Sequence, residues 1–296
     1  MDRTPRAGVH GGSRVTLLDG FSVRAGRTAA GPAAEELPRS VQRVVAHLCL
    51  AGRPARAAVS GRLWPDVPED KAQASLRSAL WRLRRSAPEL VDASHDTLRL
   101  SAGVRIDVHE LNAWAELVSD PRTEADRVTL PPPAILGDLL PGWYDDWVLL
   151  ERDRLHQLRL HALETAATRL CIVGRHAEAL QAAHLAIRAE PLRESAHRTV
   201  VRVHLAEGNL AEAMRAHAAF RELLLRELGV PPTSQMQELA SRWRVPATAG
   251  VLGTTRIPRP PGDRRPDGRG APRMTGGPRS APREAELPLR LQAMHR

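Results

Sequence analysis

The chain has 296 residues, enough for about two domains with their own cores, and a net charge of +9 at pH 7. That charge is uneven, with +4 over residues 1–118, −1 over 119–246 and +6 over 247–296, so the high pI alone does not argue for a polyanionic partner. Lys71 is the only lysine and no Gly-x-x-x-x-Gly-Lys-Ser/Thr surrounds it, which excludes a conventional P-loop nucleotide site and makes Schiff-base chemistry a poor fit.

Residues 1–13 are expected to be disordered. Val15 to Arg24 reads as two short strands about a turn at Asp19-Gly20, and Leu37 as part of a third strand after an interruption at Gly31-Pro32. Ser40 is expected to cap a helix whose Val41, Val44, Val45, Leu48 and Cys49 share one face, with Gly52 ending it. A shorter helix follows over 55–63.

A third helix then runs from the Asp66–Glu69 pair, read as a capping box, to Ser86. Leu76, Leu80 and Leu83 face a core. At 100° per residue the opposite side carries Lys71, Ala74, Ser78, Trp81, Arg82 and Arg85, with Arg77 and Arg84 on its flanks. A basic face with an aromatic at its centre, on a helix of this length, suits a DNA major groove. The plain alternative is a solvated basic helix.

Leu98–Leu100 and Val104–Ile106 alternate across Ser101-Ala102-Gly103 and predict a hairpin, with Arg99 and Arg105 on its outer face. Asp107 and Glu110 read as a capping pair for a helix through Val118. Strands, three helices and a hairpin in this order make an α+β winged helix-turn-helix over residues 14–118, whose third helix enters the groove. Residues 119–134, with Pro121 and Pro131-Pro132-Pro133, read as a linker.

Beyond Trp147 the pattern is helical throughout, with helices expected over 147–173, 176–189, 192–206, 210–227 and 233–243. Gly174-Arg175-His176-Ala177-Glu178-Ala179 and Gly208-Asn209-Leu210-Ala211-Glu212-Ala213 lie 34 residues apart, the tetratricopeptide period. The expectation for 135–245 is an all-α, tetratricopeptide-like domain with a concave binding surface, or a scaffold that holds a dimer together. Residues 246–296, rich in Pro, Gly and Arg, are expected to be a disordered tail, with Leu287 to Met294 able to form a helical turn or two on contact.

Four segments carry a resemblance. Leu37-Pro38-Arg39-Ser40-Val41-Gln42-Arg43, Leu63-Trp64-Pro65-Asp66 and Trp81-Arg82-Leu83-Arg84-Arg85 resemble an OmpR-type DNA-binding domain, and more closely that of Streptomyces antibiotic regulatory proteins. Gly137-Asp138-Leu139-Leu140-Pro141-Gly142-Trp143-Tyr144-Asp145-Asp146-Trp147-Val148-Leu149-Leu150-Glu151-Arg152, the most specific motif of the chain, resembles the start of the bacterial transcriptional activation domain that follows in those regulators. The resemblance covers residues 14–244. It implies that Ser78, Trp81, Arg82 and Arg84 lie in the groove, that the sites are direct repeats upstream of an antibiotic biosynthetic cluster bound by a homodimer, and that RNA polymerase with its sigma factor is the partner. The turn at 101–103 departs from the pattern in having no basic residue, so minor-groove contact falls to Arg99 or Arg105.

Asp66, Glu69 and Asp70, just ahead of the basic helix, could not favour phosphate and would suit a basic surface on polymerase or sigma factor. No receiver domain is expected ahead of residue 14. Twelve histidines invite a metal or catalytic reading, but no H-E-x-x-H, G-x-S-x-G or paired-carboxylate pocket accompanies them. Cys49 and Cys171 lack a C-x-x-C partner and read as buried thiols of a reducing compartment. The expectation is therefore no enzyme, no cofactor, no metal, no membrane and a cytoplasmic location, with DNA and the transcription machinery as partners. The competing expectation is a tetratricopeptide-like interaction scaffold whose winged helix binds no DNA.

Overall fold

A computed structural model describes residues 12–24, 37–93 and 96–241. The expectations for residues 1–11, for Gly31-Pro32 and for 246–296 lie outside these described residues. Strands β1 (Arg14–Thr16) and β2 (Ser22–Arg24) pair antiparallel about Asp19 and Gly20, both at positive φ. Leu37 is buried in a bend and belongs to no strand.

Helix α1 (Arg39–Ala51) buries Val41, Val44, Val45, Leu48 and Cys49, and ends at Gly52, where φ is 71° and the N–H donates to the Leu48 carbonyl. Helix α2 spans Arg56–Leu63 and α3 spans Glu69–Ser86. The expected caps of α1 and α3 are not made. Pro38 and Pro68 occupy the N-cap positions and neither helix has a side-chain cap. A proline at its fixed φ starts a helix without a capping side chain, and its carbonyl accepts the first helical bonds, from Val41 and Gln42 in one case and Ala72 in the other. Ser40 and Glu69 are thereby displaced into the first turn, and Asp66 falls outside the helix.

The predicted hairpin is also re-partnered. Strand β4 (Leu98–Leu100) pairs antiparallel with β3 (Val91–Ala93), whereas β5 (Arg105–Ile106) leaves it to run parallel to β1. Alternation marks a half-buried strand but not its neighbour. Here Ser101 extends the β3–β4 ladder by donating to the Leu90 carbonyl, and Arg105 donates to Ser13. Ile106 is thus carried into the core beside Val15. Arg99 and Arg105 consequently lie on two different sheets.

Helix α4 (Asp107–Ser119) begins at a buried carboxylate. Asp107 does not cap with Glu110. Its two oxygens accept from the Leu17, Leu18 and Val108 N–H groups at 2.8–3.0 Å, while Glu110 pairs with Arg14 at 2.9 Å. Burial pushes the Asp107 carboxyl up from its ordinary value, against the three N–H donors and Arg14, which act to lower it.

The expected linker is packed. Val128 is fully buried, as is Ile135 just beyond the linker, and short 3-10 turns occupy Ala125–Arg127 and Pro133–Ile135. Helices α5 (Asp146–Ile172), α6 (His176–Ala189), α7 (Glu194–Ala206), α8 (Leu210–Leu228) and α9 (Ser234–Ser241) follow close to the predicted bounds, each of α5 to α8 packing on the next. Both repeat glycines have positive φ, 76° at Gly174 and 78° at Gly208. The same pair of carbonyls is satisfied at each: Arg175 donates to Leu170 and Gly174 to Cys171, then Asn209 to His204 and Gly208 to Leu205. Ala179 and Ala213, at equivalent places, are fully buried.

Arginines on α5 hold the preceding chain by its carbonyls. Arg152 donates to Leu139, Leu140 and Trp143, the buried Arg159 to Gly137, and Arg169 to Val118, Asp120 and Thr123. Arg175, just past α5, takes Asp126 and Val128. One continuous core runs from Val15 to Val203, so the two expected domains share it, and a second cluster around Phe220 and Met236 closes the helical end.

Candidate nucleic-acid interface

Helix α3 is held by Ala72, Leu76, Ala79, Leu80 and Leu83, all buried. What it turns outward is the predicted basic side: Lys71, Ala74, Arg77, Ser78, Trp81, Arg82, Arg84 and Arg85 are all exposed. Trp81 is 59% exposed, an unusual place for an indole, and the Arg85 guanidinium lies 4.8 Å from its ring centroid. No salt bridge joins Lys71, Arg77, Arg82 or Arg84 to an acid among the described residues. The basic face therefore keeps its charge for a partner.

Strands β3 and β4 sit beside the start of α2. The Leu98 N–H donates to Pro54, the Arg56 N–H donates to Asp96, and Ala55 bridges Thr97. Arg99 on β4 is tied to Asp92 at 2.5 Å, with both side chains about half exposed. Arg105, on β5, is exposed but apart from that hairpin.

Two arginines missed in the sequence reading, Arg53 and Arg56, stand here. Arg56 and Arg77 line a cavity of about 390 Å³ between α2, α3 and Asp96, and Arg56 keeps a buried Nε–H without an acceptor among the described residues. Arg53, exposed, reaches Thr97. The available signal was a pair of arginines bracketing Pro54-Ala55 at a helix start, where backbone N–H groups point outward and favour an anion.

Asp66, Glu69 and Asp70 are exposed at the other end of α3. Glu69 accepts from Gln73 at 2.9 Å. No group of three or more His, Cys, Asp or Glu side chains that could hold a metal occurs among the described residues. Among the described residues, His47 packs against Trp147 in a T-shaped contact, and His197 stacks on Phe220 with its Nε2 2.9 Å from the Pro191 carbonyl. Cys49 is buried, with burial pushing its thiol well above the ordinary value, and Cys171 is half-buried. No helix among the described residues is long and apolar enough to cross a membrane.

Residues 135–244 match the family described as bacterial transcriptional activator domain. Regulatory protein AfsR of Streptomyces coelicolor is 30% identical over 203 residues, 64% of this chain and 20% of that protein, and AfsR of Streptomyces griseus is 30% identical over 211 residues, 64% and 21%. The chain thus spans about a fifth of the length of these relatives. Regulatory protein DnrI of Streptomyces peucetius is 26% identical over 202 residues, 62% of this chain and 74% of DnrI. In fold, the chain is similar to Mycobacterium tuberculosis EmbR, solved in complex with a low affinity phosphopeptide, with a TM-score of 0.58 at 19% identity over 78% of this chain and 64% of that one. The chain thus joins an α+β half with a basic helix to a helical half that matches the bacterial transcriptional activator domain. It is similar to these Streptomyces regulatory proteins over 62–64% of its own length.

Proposed function

We propose that the protein is a sequence-specific DNA-binding activator of transcription, acting in the cytoplasm on the promoters of a secondary-metabolite cluster. The observation that carries this reading is the outward face of α3, basic, without salt bridges to acids among the described residues and centred on an exposed indole. In this reading residues 14–118 are a winged helix-turn-helix with α3 in the major groove. Arg82 and Arg84, with Ser78 and Trp81, contact base edges or phosphates there, and Lys71, Arg77 and Arg85 add phosphate contacts. Arg53 and Arg56 extend the phosphate track across the start of α2. Arg99 and Arg105 are weaker candidates for the wing, Arg99 because it must first give up Asp92.

Residues 135–245 act as a tetratricopeptide-like module that supports a homodimer on direct repeats and contact with RNA polymerase. Asp66, Glu69 and Asp70 face that machinery and not DNA, since carboxylates repel phosphate. With Pro68 as the N-cap, helix capping no longer accounts for Asp66. The protein needs no cofactor for this work.

The rival is an interaction scaffold that uses only its helical repeats. A gel shift on the DNA upstream of the protein's own gene, against a random fragment of equal length, separates the two. The expected result is a specific complex that weakens steeply with salt. Equal, weak binding to both fragments at every salt concentration would favour the scaffold.

A further inference from the structure

One face of α1 joins the two halves. Arg39, Arg43 and His47, at i, i+4 and i+8, meet the motif that precedes α5. The Arg39 guanidinium lies 3.4 Å from the Trp143 ring centroid, Arg43 pairs with Asp145 at 2.6 Å, and His47 sets its edge against Trp147. Beside this seam opens a cleft of about 530 Å³. The α2–α3 loop contributes Trp64, Asp66 and Val67 to it, and the start of the helical half contributes Tyr144, Asp146 and Leu150.

Its chemistry is that of a protein-docking surface. Tyr144 is 79% exposed, Leu150 69% and Val67 41%, three large apolar side chains gathered around one opening. Aromatic side chains at such places commonly carry binding energy. Of the two cations lining the cleft, Arg43 is committed to Asp145, so Arg62 stands against two carboxylates, Asp66 and Asp146, that lack an ion-pair partner among the described residues. Arg43 and Trp147 also each keep a buried N–H without an acceptor among those residues. A polyanion is disfavoured here, and the seam fixes both walls before anything binds.

We propose that this cleft is the docking site for a basic, apolar segment of the RNA polymerase holoenzyme. An aliphatic or aromatic side chain of that segment fills the space between Val67, Tyr144 and Leu150, and flanking arginines or lysines reach Asp66 on one wall and Asp146 on the other. The proposal rests on the reading that the protein works with the transcription machinery. It goes beyond that reading in placing the contact at one cleft shared by both halves and in naming the side chains that form it.

The test is a binding titration of the full chain with purified holoenzyme from the host, run first without DNA so that operator binding does not enter. Tyr144→Ala and Leu150→Ala are each expected to weaken the complex about tenfold. Asp66→Asn with Asp146→Asn should weaken it similarly and flatten its salt dependence. All these side chains are exposed, so melting temperature and the separately measured DNA affinity should stay those of the unsubstituted protein.

Three outcomes overturn the cleft: no binding by the unsubstituted chain, loss on Asp66→Asn or Asp70→Asn but not on Tyr144→Ala or Leu150→Ala, or a changed sedimentation of the free protein with polymerase binding intact. The second would confine the contact to the loop, and the third would make a second copy the occupant. DNA binding judges the proposed function independently of all three.

Discussion

Asp107 is a carboxylate placed where burial opposes its charge, yet it accepts from three backbone N–H groups that join β1 to α4. Removing it leaves the Leu17, Leu18 and Val108 donors without an acceptor, at about 1–3 kcal/mol for each donor that water cannot reach. Asp107→Ala is therefore expected to lower the unfolding free energy in urea by several kcal/mol, far more than an exposed acid such as Asp70 would. A loss within about 0.5 kcal/mol, typical of surface sites, would mean the segment satisfies itself another way.

The histidines set the pH response. His47, His184 and His197 all lie below the ordinary value of 6.5, chiefly through burial. Arg62 adds to this at His47, Arg188 and His204 at His184, and His184 at His197, where the Pro191 carbonyl works the other way. A histidine lowered on folding favours the neutral ring. Its contribution is complete above its unfolded pKa and is lost as pH falls through that value towards the folded one. Asp107, raised on folding, acts in the opposite sense. The melting temperature is expected to fall from pH 7 to pH 5, and His197→Gln should make that fall shallower even if it lowers stability at pH 7. An unchanged slope in the variant would remove His197 from the response.

Among the elements, α1, α3 and the helices from α5 on were legible because apolar spacing reports one buried face without reference to what covers it. Gly174 and Gly208 were legible for a related reason: a 34-residue repeat places the same left-handed exit at the same point twice. The outward side of α3 followed from the position of its leucines. Strand partners did not follow. Val104–Ile106 alternates as a hairpin arm should, but Ile106 gains more by joining Val15 in the core than by facing Leu100. The caps failed because proline starts a helix without declaring itself as serine or aspartate does. The arginine clamps failed because a lone charged residue in a helix, such as Arg159, normally reads as solvated, and its carbonyl partner, Gly137, is 22 residues away. Arg53 and Arg56 were overlooked because two arginines at a helix start have no periodicity to expose them.

At the scale of the whole molecule, the segment read as a linker is fastened to the helical half. Arg169 and Arg175 hold its carbonyls, and Trp114 donates to Thr129 at 3.0 Å. The basic helix and the activator-type helices therefore share one core within the described residues, so in the proposed function a partner docked on one half would be held in a set relation to DNA under the other. That account depends on α3 touching DNA. The most direct measurement is the affinity of Arg82→Ala and Arg84→Ala for a genomic fragment selected by the unsubstituted protein and for random DNA, each at two salt concentrations. Both side chains are exposed, so melting temperatures should not move. An arginine that reads guanine should cost about 1–3 kcal/mol on the selected fragment alone, whereas one that holds phosphate should weaken both fragments and reduce the salt slope by about one. If both variants bind both DNAs as the unsubstituted protein does, α3 is not the recognition element and the account is wrong.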